Sequence, residues 1–433
     1  MALTKNPKLA LIPSGYKASK VYSVLPSDGV GDFDFSRSGQ ATRVNKDGLI
    51  ETVDSNVPRL NYPMIDGVVS GCPSLLLEPQ RTNIVEYSED VTQWNDLSCT
   101  VSLTTDSTSP SGQSSVYKVN DNANDAQHRV DVRPSVTSGT EYTFSVFVKK
   151  PSDSDIDFAY LLFASKFSTT RFYFNIAEGT SLDTGGTIID YGNGWYRLSA
   201  SATANSSGNG TFGVNLTDAY GNNTYSGTGN GSMYFWGGQV EPNSSYPTSY
   251  IPTNGGTVTR SAETCNGAGD AITFNDSEGV LYAEISALAD DGTSRRISLS
   301  HANADTDNRV TIEVDETARR IKAFMSSGGT TVGSLTAIVD SQTHNNKVAL
   351  IYKENTFNIY VNGFLLDTNP SIASLPIGLS RLQFEGANGS NPFYGKAKQI
   401  QYFDSALNDS DLETLTSWTS FNEMATSQLY TIQ

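Results

Sequence analysis

The sequence is poor in charged residues and in long apolar runs. Only 17% of its 433 residues are charged, and the formal net charge is −17. An acidic surface of this kind has no long-range attraction to nucleic acid or to an anionic membrane, so neither is expected as a partner. No stretch approaches the roughly 20 apolar residues that a membrane-spanning helix needs. No signal peptide is recognisable, which predicts synthesis in a cytoplasm.

Motifs of catalysis and of metal binding are also missing. The three cysteines are far apart and lack C-x-x-C spacing: Cys72, Cys99 and Cys265. They indicate neither a disulfide framework nor a zinc site. The three histidines stand in polar stretches outside any zinc-hydrolase or serine-triad pattern, and we interpret them as surface residues: His128, His301 and His344.

A glycanase acid pair is not found in the sequence. Enzymes that hydrolyse glycans hold two carboxylates at a defined separation on one face of the site. The nearest string, Glu313-Val314-Asp315-Glu316, lacks an alternating Glu-x-Asp-x-Glu spacing. We interpret this string as a solvated strand end, and we predict a protein without enzymatic activity.

The sequence is rich in glycine, small polar residues and short alternating runs. Apolar and polar residues alternate in segments separated by turn residues: 141–150, 170–176, 194–201, 210–217, 232–241, 279–288, 295–301, 309–314, 320–326, 347–354, 356–363, 381–386 and 396–403. Such alternation without helical periods is typical of a sandwich or barrel. We therefore predict an all-β fold of two tandem sandwiches, preceded by an extended N-terminal peptide.

Local signals define several single elements. The pairs Asp47-Gly48 and Asn362-Gly363 predict tight hairpin turns. The unbroken Leu75-Leu76-Leu77 indicates a strand that is covered on both faces. Ser410-Asp411-Leu412-Glu413 matches a capping box and predicts one short C-terminal helix.

These patterns divide the chain into five regions. We predict an N-terminal anchoring peptide (1–30), a hairpin-rich region packed on the first sandwich (31–81), the first sandwich (82–253), a linker (254–270) and the second sandwich (271–433). The linker is inferred because that stretch is rich in Gly, Thr and Asn, and Val258 is its one large apolar residue.

The first 25 residues carry lysines without any acidic residue. These lysines are Lys5, Lys8, Lys17 and Lys20. We interpret the segment as a docking peptide. A disordered leader is the alternative, because termini that are not tied to a sheet usually fray.

Two sets of motifs resemble known families. The first runs in order from a hairpin-rich region into the predicted first sandwich: 33–37, 43–51, 58–60, 72–79, 82–83, 87–90, 192–197, 236–241 and 246–253. It resembles a module of bacteriophage fibre and structural proteins, which is followed by a carbohydrate-binding-like jelly roll. The second set, 349–352, 357–363 and 393–403, resembles the concanavalin A-like, laminin-G-type lectin fold.

The resemblance implies a virion surface protein, either a tail or head fibre or a capsid decoration protein. It implies that the N-terminus docks on other virion proteins and that the sandwiches bind host-surface glycans. It also favours a homo-oligomer, with a trimer as the first expectation. A phage-tail polysaccharide depolymerase or lyase and a secreted sugar-binding lectin are the alternatives.

Candidate glycan-binding residues flank a polar loop. Sugar rings stack on flat aromatic side chains while amides read their hydroxyl groups, and loops carry many such sites. We predict a glycan site at Tyr220, Asn222, Asn223 and Tyr225. Trp195 and Trp236 lie inside predicted strands, where core packing is the better interpretation.

Calcium is the one cofactor for which the sequence offers candidate ligands. Asp305, Asp307 and Asn308 supply oxygen atoms in a predicted loop. Asp153, Asp155 and Asp157 alternate and would share one face if they lay on a strand.

Overall fold

The computed structural model describes residues 3–303, 305–372, 374–419, 423–425 and 428. Within them the chain is nearly all β-structure, so the predicted fold class is confirmed. None of the helices in these ranges is long and apolar enough to cross a membrane.

The N-terminal segment forms short strands. They are β1 (Leu9–Leu11), β2 (Tyr16–Lys17), β3 (Lys20–Val21), β4 (Phe33–Ser36), β5 (Ala41–Val44), β6 (Ile50–Val53), β7 (Arg59–Asn61), β8 (Met64–Ile65), β9 (Val68–Val69), β10 (Ser74–Leu77) and β11 (Arg81–Asn83). β5 pairs with β6 around the Asp47-Gly48 turn, so the predicted hairpin is confirmed.

Longer strands follow a single 3-10 turn (Val91–Gln93). They include β12 (Asn95–Leu97), β13 (Cys99–Thr104), β14 (Val116–Asp121), β15 (Asp125–Ala126), β16 (His128–Val132), β17 (Ser135–Val136), β18 (Glu141–Lys149), β19 (Phe158–Ala164), β20 (Thr170–Asn175), β21 (Thr180–Ser181), β22 (Thr187–Asp190), β23 (Trp195–Thr203), β24 (Gly208–Asn209), β25 (Thr211–Thr217), β26 (Tyr225–Ser226) and β27 (Ser232–Pro242). Five of them coincide with alternating segments predicted from the sequence: β18, β20, β23, β25 and β27.

The C-terminal part adds strands and one helix. These are β28 (Val258–Arg260), β29 (Thr264–Ala268), β30 (Glu278–Ala287), β31 (Arg295–His301), β32 (Arg309–Val314), β33 (Arg320–Ser327), β34 (Thr330–Ile338), β35 (Asn346–Lys353), β36 (Thr356–Val361), β37 (Phe364–Asn369), β38 (Leu379–Gln383), β39 (Gly395–Phe403) and α1 (Asp409–Ser417). Asn362 and Gly363 join β36 to β37 with positive φ at both positions, as the predicted tight turn requires.

The first sandwich is a jelly roll. Its two six-stranded sheets have the orders β12-β16-β25-β19-β20-β21 and β13-β14-β27-β18-β23-β22. If the eight inner strands are numbered 1 to 8 along the chain, the sheets contain the runs 2-7-4-5 and 1-8-3-6. That order is the one that the two Greek keys of a jelly roll produce.

Alternation along the strands fills the jelly-roll core. On β18, Tyr142, Phe144 and Val146 point into the space between the two sheets. Trp195 and Trp236 pack in a second buried cluster on the other side of their sheet, so their predicted packing role is confirmed.

The second sandwich is built from strands that precede the jelly roll in the sequence and strands that follow it. Its eight-stranded sheet has the order β37-β36-β35-β30-β39-β10-β7, and β1 also pairs with β39. Its nine-stranded sheet has the order β2-β3-β4-β29-β38-β31-β32-β33-β34. The second sandwich is therefore discontinuous in sequence, and the jelly roll is inserted into it.

The described part of the predicted anchoring peptide belongs to this second sandwich, contrary to our expectation of a separate segment. β1 pairs with β39 in an antiparallel register that sets Leu9 opposite Tyr402. Leu9 and Leu11 are fully buried in the core. The segment lacks an apolar period of its own because strands far away in sequence complete its hydrophobic environment.

The region 31–81 also differs from the prediction. β7 and β10 extend the eight-stranded sheet of the second sandwich, with Leu75 opposite Ala397. Leu75, Leu76 and Leu77 are all buried, as predicted for a strand covered on both faces. The hairpin β5–β6 does pack on the jelly roll, where Ile50 joins the cluster of Trp195.

The stretch 254–270 is more ordered than a linker. β28 pairs with β11, and β29 lies inside the nine-stranded sheet between β4 and β38. Cys265 and Ala268 are buried there. Small side chains suit this central position, but they do not produce the large-residue alternation by which strands are found in sequences.

The predicted C-terminal helix is confirmed with a shifted start. Asn408 is the N-cap, and its side-chain oxygen accepts the Asp411 N–H at 2.9 Å, two residues before the predicted Ser410 cap. Leu412 and Leu415 are fully buried against the eight-stranded sheet.

A buried ion-pair network joins the N-terminal region to the segment that carries β28 and β29. Arg59 contacts Glu78 at 2.7 Å and also pairs with Glu263, which accepts from Arg37 at 2.8 Å. Arg260 reaches Glu78 at 2.8 Å. We call these five residues the junction network. All five are at most 3% exposed, so each charge depends on its partners.

Candidate functional site

One outer face of the jelly roll carries tyrosines where a solvent-facing sheet normally carries small polar residues. In the sheet that contains β16, β25, β19 and β20, antiparallel register places Arg129, Asn215, Tyr160 and Tyr173 in one cross-strand row. Their side chains point away from the sandwich core. We call this row, together with Arg171 and Tyr220, the tyrosine face.

The rings of the tyrosine face form a continuous aromatic group. The ring centroids of Tyr160 and Tyr173 are 4.9 Å apart, and Tyr220 meets Tyr173 edge-on at 5.3 Å. The Arg171 guanidinium lies 6.0 Å from the centroid of Tyr160. Burial raises the pKa of Tyr160 to about 12, so its hydroxyl group stays protonated at neutral pH.

The predicted glycan-binding loop lies on this face. Tyr220 is 57% exposed, and its hydroxyl donates to Asp183 at 3.0 Å. The backbone carbonyls of Asn222 and Asn223 accept hydrogen bonds from the hydroxyls of Tyr173 and Tyr160, at 3.1 and 3.4 Å. The two asparagines therefore position tyrosines through their backbone carbonyls.

Tyr225, the fourth predicted residue, does not reach the face. It is 7% exposed and donates its hydroxyl to Asp121 at 3.1 Å. Its ring packs on His128, which is fully buried between the carbonyls of Ser98 and Tyr225. The expectation of a surface residue is wrong for His128, because two backbone carbonyls replace solvent around its ring.

Asn215 is the most unusual residue of the face. It is fully buried, and neither its Nδ2 nor its Oδ1 has a hydrogen-bond partner within the described ranges. Burying an amide without partners costs free energy, and native proteins rarely tolerate it without a reason. The Nε atom of the neighbouring Arg171 is likewise unpartnered.

Gly213 packs closely beside this amide. A Cβ atom on Gly213 would lie 3.4 Å from Asn215 Nδ2 and from Leu162, and 3.6 Å from Arg129 Cδ. Leu162 and the aliphatic part of Arg129 therefore pack around Gly213 next to the unpartnered amide.

The charge at the edge of the face is partly compensated. Asp131 is 1% exposed and accepts from Arg129 at 3.0 Å and from Arg133 at 2.6 Å. These ion pairs leave Arg171 as the cation of the face that stacks on an aromatic ring.

The predicted calcium ligands do not form a cation site. Asn308 Oδ1 accepts the N–H groups of Gly328 and Ile377 at 3.2 and 3.1 Å, and Asp305 Oδ1 accepts that of Asp307 at 3.1 Å. These side-chain oxygen atoms therefore accept hydrogen bonds from backbone N–H groups of the chain. In the described parts of the chain, no three His, Cys, Asp or Glu side chains come together to hold a metal ion.

The second predicted acidic group lies in a turn before β19 and not on a strand. Asp153 pairs with Lys118 at 3.1 Å, Asp155 accepts from Thr228, and Asp157 pairs with Lys150. Pro151 ends the preceding strand, so the period-two geometry that would align the three carboxylates does not apply.

The predicted anchoring lysines are spread over the second sandwich. Lys5 Nζ donates to Ser405 at 3.0 Å and to the Ala406 carbonyl at 2.9 Å, and Lys20 pairs with Asp34 at 2.9 Å. Lys8 and Lys17 are exposed.

Comparisons with known proteins give distant likenesses. No protein-family model and no curated protein matches the chain. Among solved structures, the Ruminococcus gnavus IT-sialidase CBM40 bound to α2,3-sialyllactose is 15% identical, with a TM-score of 0.30 over 35% of this chain and 94% of that one.

Two further solved structures align with more of this chain and are equally distant from it. Trypanosoma rangeli sialidase with the inhibitor DANA is 11% identical, with a TM-score of 0.29 over 69% of this chain and 60% of that one. Mouse laminin α1 domains LG4-5 are 10% identical, with a TM-score of 0.24 over 81% and 96%. At these values the fold assignment rests on the strand order and not on the likenesses.

Proposed function

We propose that this chain is a non-enzymatic, glycan-binding protein of a virion surface, and that the tyrosine face of the jelly roll is its glycan site. The observation that carries the proposal is the cross-strand row in which a fully buried, unpartnered Asn215 amide stands beside the Tyr160 ring. A sugar supplies both a hydrogen-bonding hydroxyl group for the amide and an apolar ring face for the aromatic group.

The composition of the face favours a ligand rich in hydroxyl groups. Tyr220 offers an exposed ring at the rim, and Arg171 offers guanidinium donors. Asp131 compensates one of the two positive charges of Arg129 and Arg133. Jelly rolls include both lectin domains and viral capsid proteins, so this fold suits either role without proving one.

The virion setting is proposed from the ordered motifs that resemble phage fibre proteins. The host cytoplasm would be the site of synthesis, and a homo-oligomer, with a trimer favoured, would be the assembled form. Since the described part of residues 1–30 is folded into the second sandwich, the anchoring surface that we propose is the folded region around the exposed Lys8 and Lys17.

We propose no catalytic role, because Glu313 and Asp315, the carboxylates nearest to a glycanase motif in the sequence, are both paired with basic side chains. Glu313 pairs with Arg296. Burial alone would raise the pKa of Asp315, but hydrogen bonds from Lys322, Thr317 and Arg320 hold that pKa well below its usual range. A carboxylate held ionised in this way is a poor general acid.

A glycan array with the purified full chain tests the binding proposal. We expect a defined subset of oligosaccharides to bind, and we expect Arg171→Gln to weaken that binding at least tenfold, as for loss of a charged hydrogen bond. Lys353→Gln removes one charge from an exposed hairpin of the second sandwich and is the matched control. Equal binding by the two variants would contradict the assignment of the site.

Two further measurements test the setting. Mass spectrometry of purified particles should detect the chain, and light scattering of the free protein should give the mass of an oligomer. Release of new reducing ends from a host polysaccharide would instead favour a depolymerase, and new unsaturated ends would favour a lyase. Absence of the chain from all particles would favour the secreted lectin.

A further inference from the structure

The second sandwich also carries an unusual outer face, on its nine-stranded sheet. Register places Gln383, Ser298, Thr311 and Phe324 in one cross-strand row over β38, β31, β32 and β33. Ser298 and Thr311 are fully buried and bond to each other at 3.0 Å. We call the group formed by Gln383, Phe324, Arg296 and Arg309 the arginine face.

Two guanidinium groups share one aromatic ring there. The guanidinium carbons of Arg296 and Arg309 lie 5.1 and 4.7 Å from the centroid of Phe324. Burial and the like charge of Arg296 both lower the pKa of Arg309. Two cations on one ring repel each other, so an anion between them would relieve the repulsion.

The carboxylate that is present forms an ion pair with one of the two cations, and its charge also raises the pKa of the other, Arg309. Glu313 pairs with Arg296, whereas Arg309 donates to the backbone carbonyl of Gly386 at 2.8 Å. The Nε atom of Arg309 is buried and has no partner within the described residues. Arginine next to an aromatic ring, with donors still free, is a frequent arrangement for binding carboxylate, sulfate or phosphate groups.

A second unpartnered group on the face points to hydroxyl groups as well. Gln383 is fully buried and donates through Nε2 to Ser300 at 2.9 Å and to the Ala387 carbonyl at 3.2 Å. Its Oε1 has no donor among the described residues. Ser300 stands directly opposite Arg309, so this acceptor lies close to the guanidinium groups.

We propose that the arginine face binds an acidic polysaccharide. The oxyanion group of the saccharide contacts Arg309 and Arg296, and a hydroxyl group of the saccharide donates to Gln383 Oε1. The proposal does not rest on the tyrosine face, which lies on the other sandwich. With a net charge of −17, the chain as a whole repels polyanions, so any such binding depends on a local site.

Binding of the full chain to immobilised polysaccharides tests this proposal. Dextran sulfate presents sulfate esters, polygalacturonate presents carboxylates, and neutral dextran is the control. We expect one or both acidic polymers to bind with an affinity that falls as salt is raised, and we expect any binding of dextran, through the tyrosine face, to be weaker. Failure of both acidic polymers at low salt would overturn the proposal, as would equal binding of dextran.

Variants then locate the site. We expect Arg309→Gln to weaken binding at least tenfold, and Lys353→Gln, with the same loss of charge in the same sandwich, to change it less than twofold. Arg171→Gln on the tyrosine face should leave it unchanged. An Arg309→Gln variant that binds as tightly as the unaltered chain would overturn the assignment, and so would an equal loss in Lys353→Gln.

A conservative variant covers the case in which Arg309→Gln unfolds. Arg309→Lys keeps the charge and loses the planar fork of the guanidinium. We expect it to retain the thermal unfolding midpoint and to bind several-fold more weakly. Unchanged binding by a folded Arg309→Lys would contradict the role of the guanidinium geometry.

Discussion

The tyrosine face and the arginine face have the same plan and different chemistry. Each lies on the outer side of one sheet, stacks arginine on an aromatic ring, and contains a fully buried amide with an unpartnered atom. On the jelly roll one guanidinium stacks on a group of three tyrosines, and that of Arg129 is paired with Asp131, whereas on the second sandwich two guanidiniums stack on one phenylalanine. The first therefore suits rings and hydroxyl groups, and the second suits an oxyanion.

The difference shows that similar sandwiches can present different ligand-binding side chains. Both faces arise from the period-two alternation that also fills the cores, since every second residue of a strand must point outward. The outward residues are free to vary without disturbing the sandwich. Two sandwiches in one chain can therefore present different binding chemistry.

The largest effect is expected from disrupting the junction network. Glu263 accepts from Arg37 and Arg59 in the junction network. Glu263→Ala leaves the buried Arg37 without its carboxylate and leaves Arg59 with Glu78 alone, so it should lower the free energy of unfolding by about 3–5 kcal/mol. Chemical denaturation followed by fluorescence measures this loss. A loss below about 1 kcal/mol, the range of exposed ion pairs, would mean that the network is not buried in solution.

Acid should act on the same network. Burial alone would raise the pKa of Glu78, but Arg260 and Arg59 hold it well below the usual 4.5. A carboxylate with a lowered folded-state pKa contributes stability that is present above its unfolded pKa and is lost as pH falls. We expect the unfolding midpoint to be insensitive to this group above about pH 5 and to fall steadily below pH 4.5. A midpoint that rises on acidification would contradict this sign.

The exposed ring of Tyr220 tests whether the tyrosine face binds sugars by aromatic contact. Tyr220→Ala should weaken oligosaccharide binding about tenfold, because aromatic contacts of this kind contribute roughly 1–2 kcal/mol. Tyr220→Phe, which keeps the ring and loses the bond to Asp183, should lose less than half of that free energy. Isothermal titration with the best array ligand measures both. An equal loss in the two variants would assign the contact to the hydroxyl group.

Replacing either buried amide, Asn215 or Gln383, with leucine should change the free energy of unfolding, but in opposite directions. Asn215→Leu removes an amide that has no partners, so it should raise the free energy of unfolding by about 1 kcal/mol while abolishing glycan binding. Gln383→Leu removes two existing hydrogen bonds and should lower the free energy of unfolding by about 1–2 kcal/mol. Thermal unfolding of both variants provides the test. Destabilisation by Asn215→Leu would show that its amide has a partner in solution.

Much of the architecture could be predicted from local patterns. Alternation at β18 and β30, the Asp47-Gly48 and Asn362-Gly363 turns and the helix near Leu412 all follow from interactions between residues close in sequence. The small-residue strand β29 escaped detection because its burial comes from the sheet around it.

The assignment of segments to sandwiches could not be predicted in the same way. β1 and β10 are short, and both pair with β39, which lies hundreds of residues away in the chain. Local alternation carries no information about which distant strand completes a sheet.

The candidate site was predicted in part. The loop around Tyr220 was found because aromatic residues flank a polar turn, whereas Asn215, Arg171, Arg296 and Arg309 were missed. Each of these lies inside an ordinary strand, and its importance comes from the residues opposite it on neighbouring strands.

The pairing of β1 with β39 also sets the order in which the protein can be made. A ribosome releases Leu9 long before it adds Tyr402, the residue that Leu9 must face. Domains generally fold as units during synthesis, so the inserted jelly roll has all its strands available while the earlier segments still wait. During this interval β1 and β10 lack their partner β39, and β4 lacks its partner β29. Nascent chains stalled before residue 395 should therefore contain a protease-resistant jelly roll and a protease-sensitive N-terminal segment.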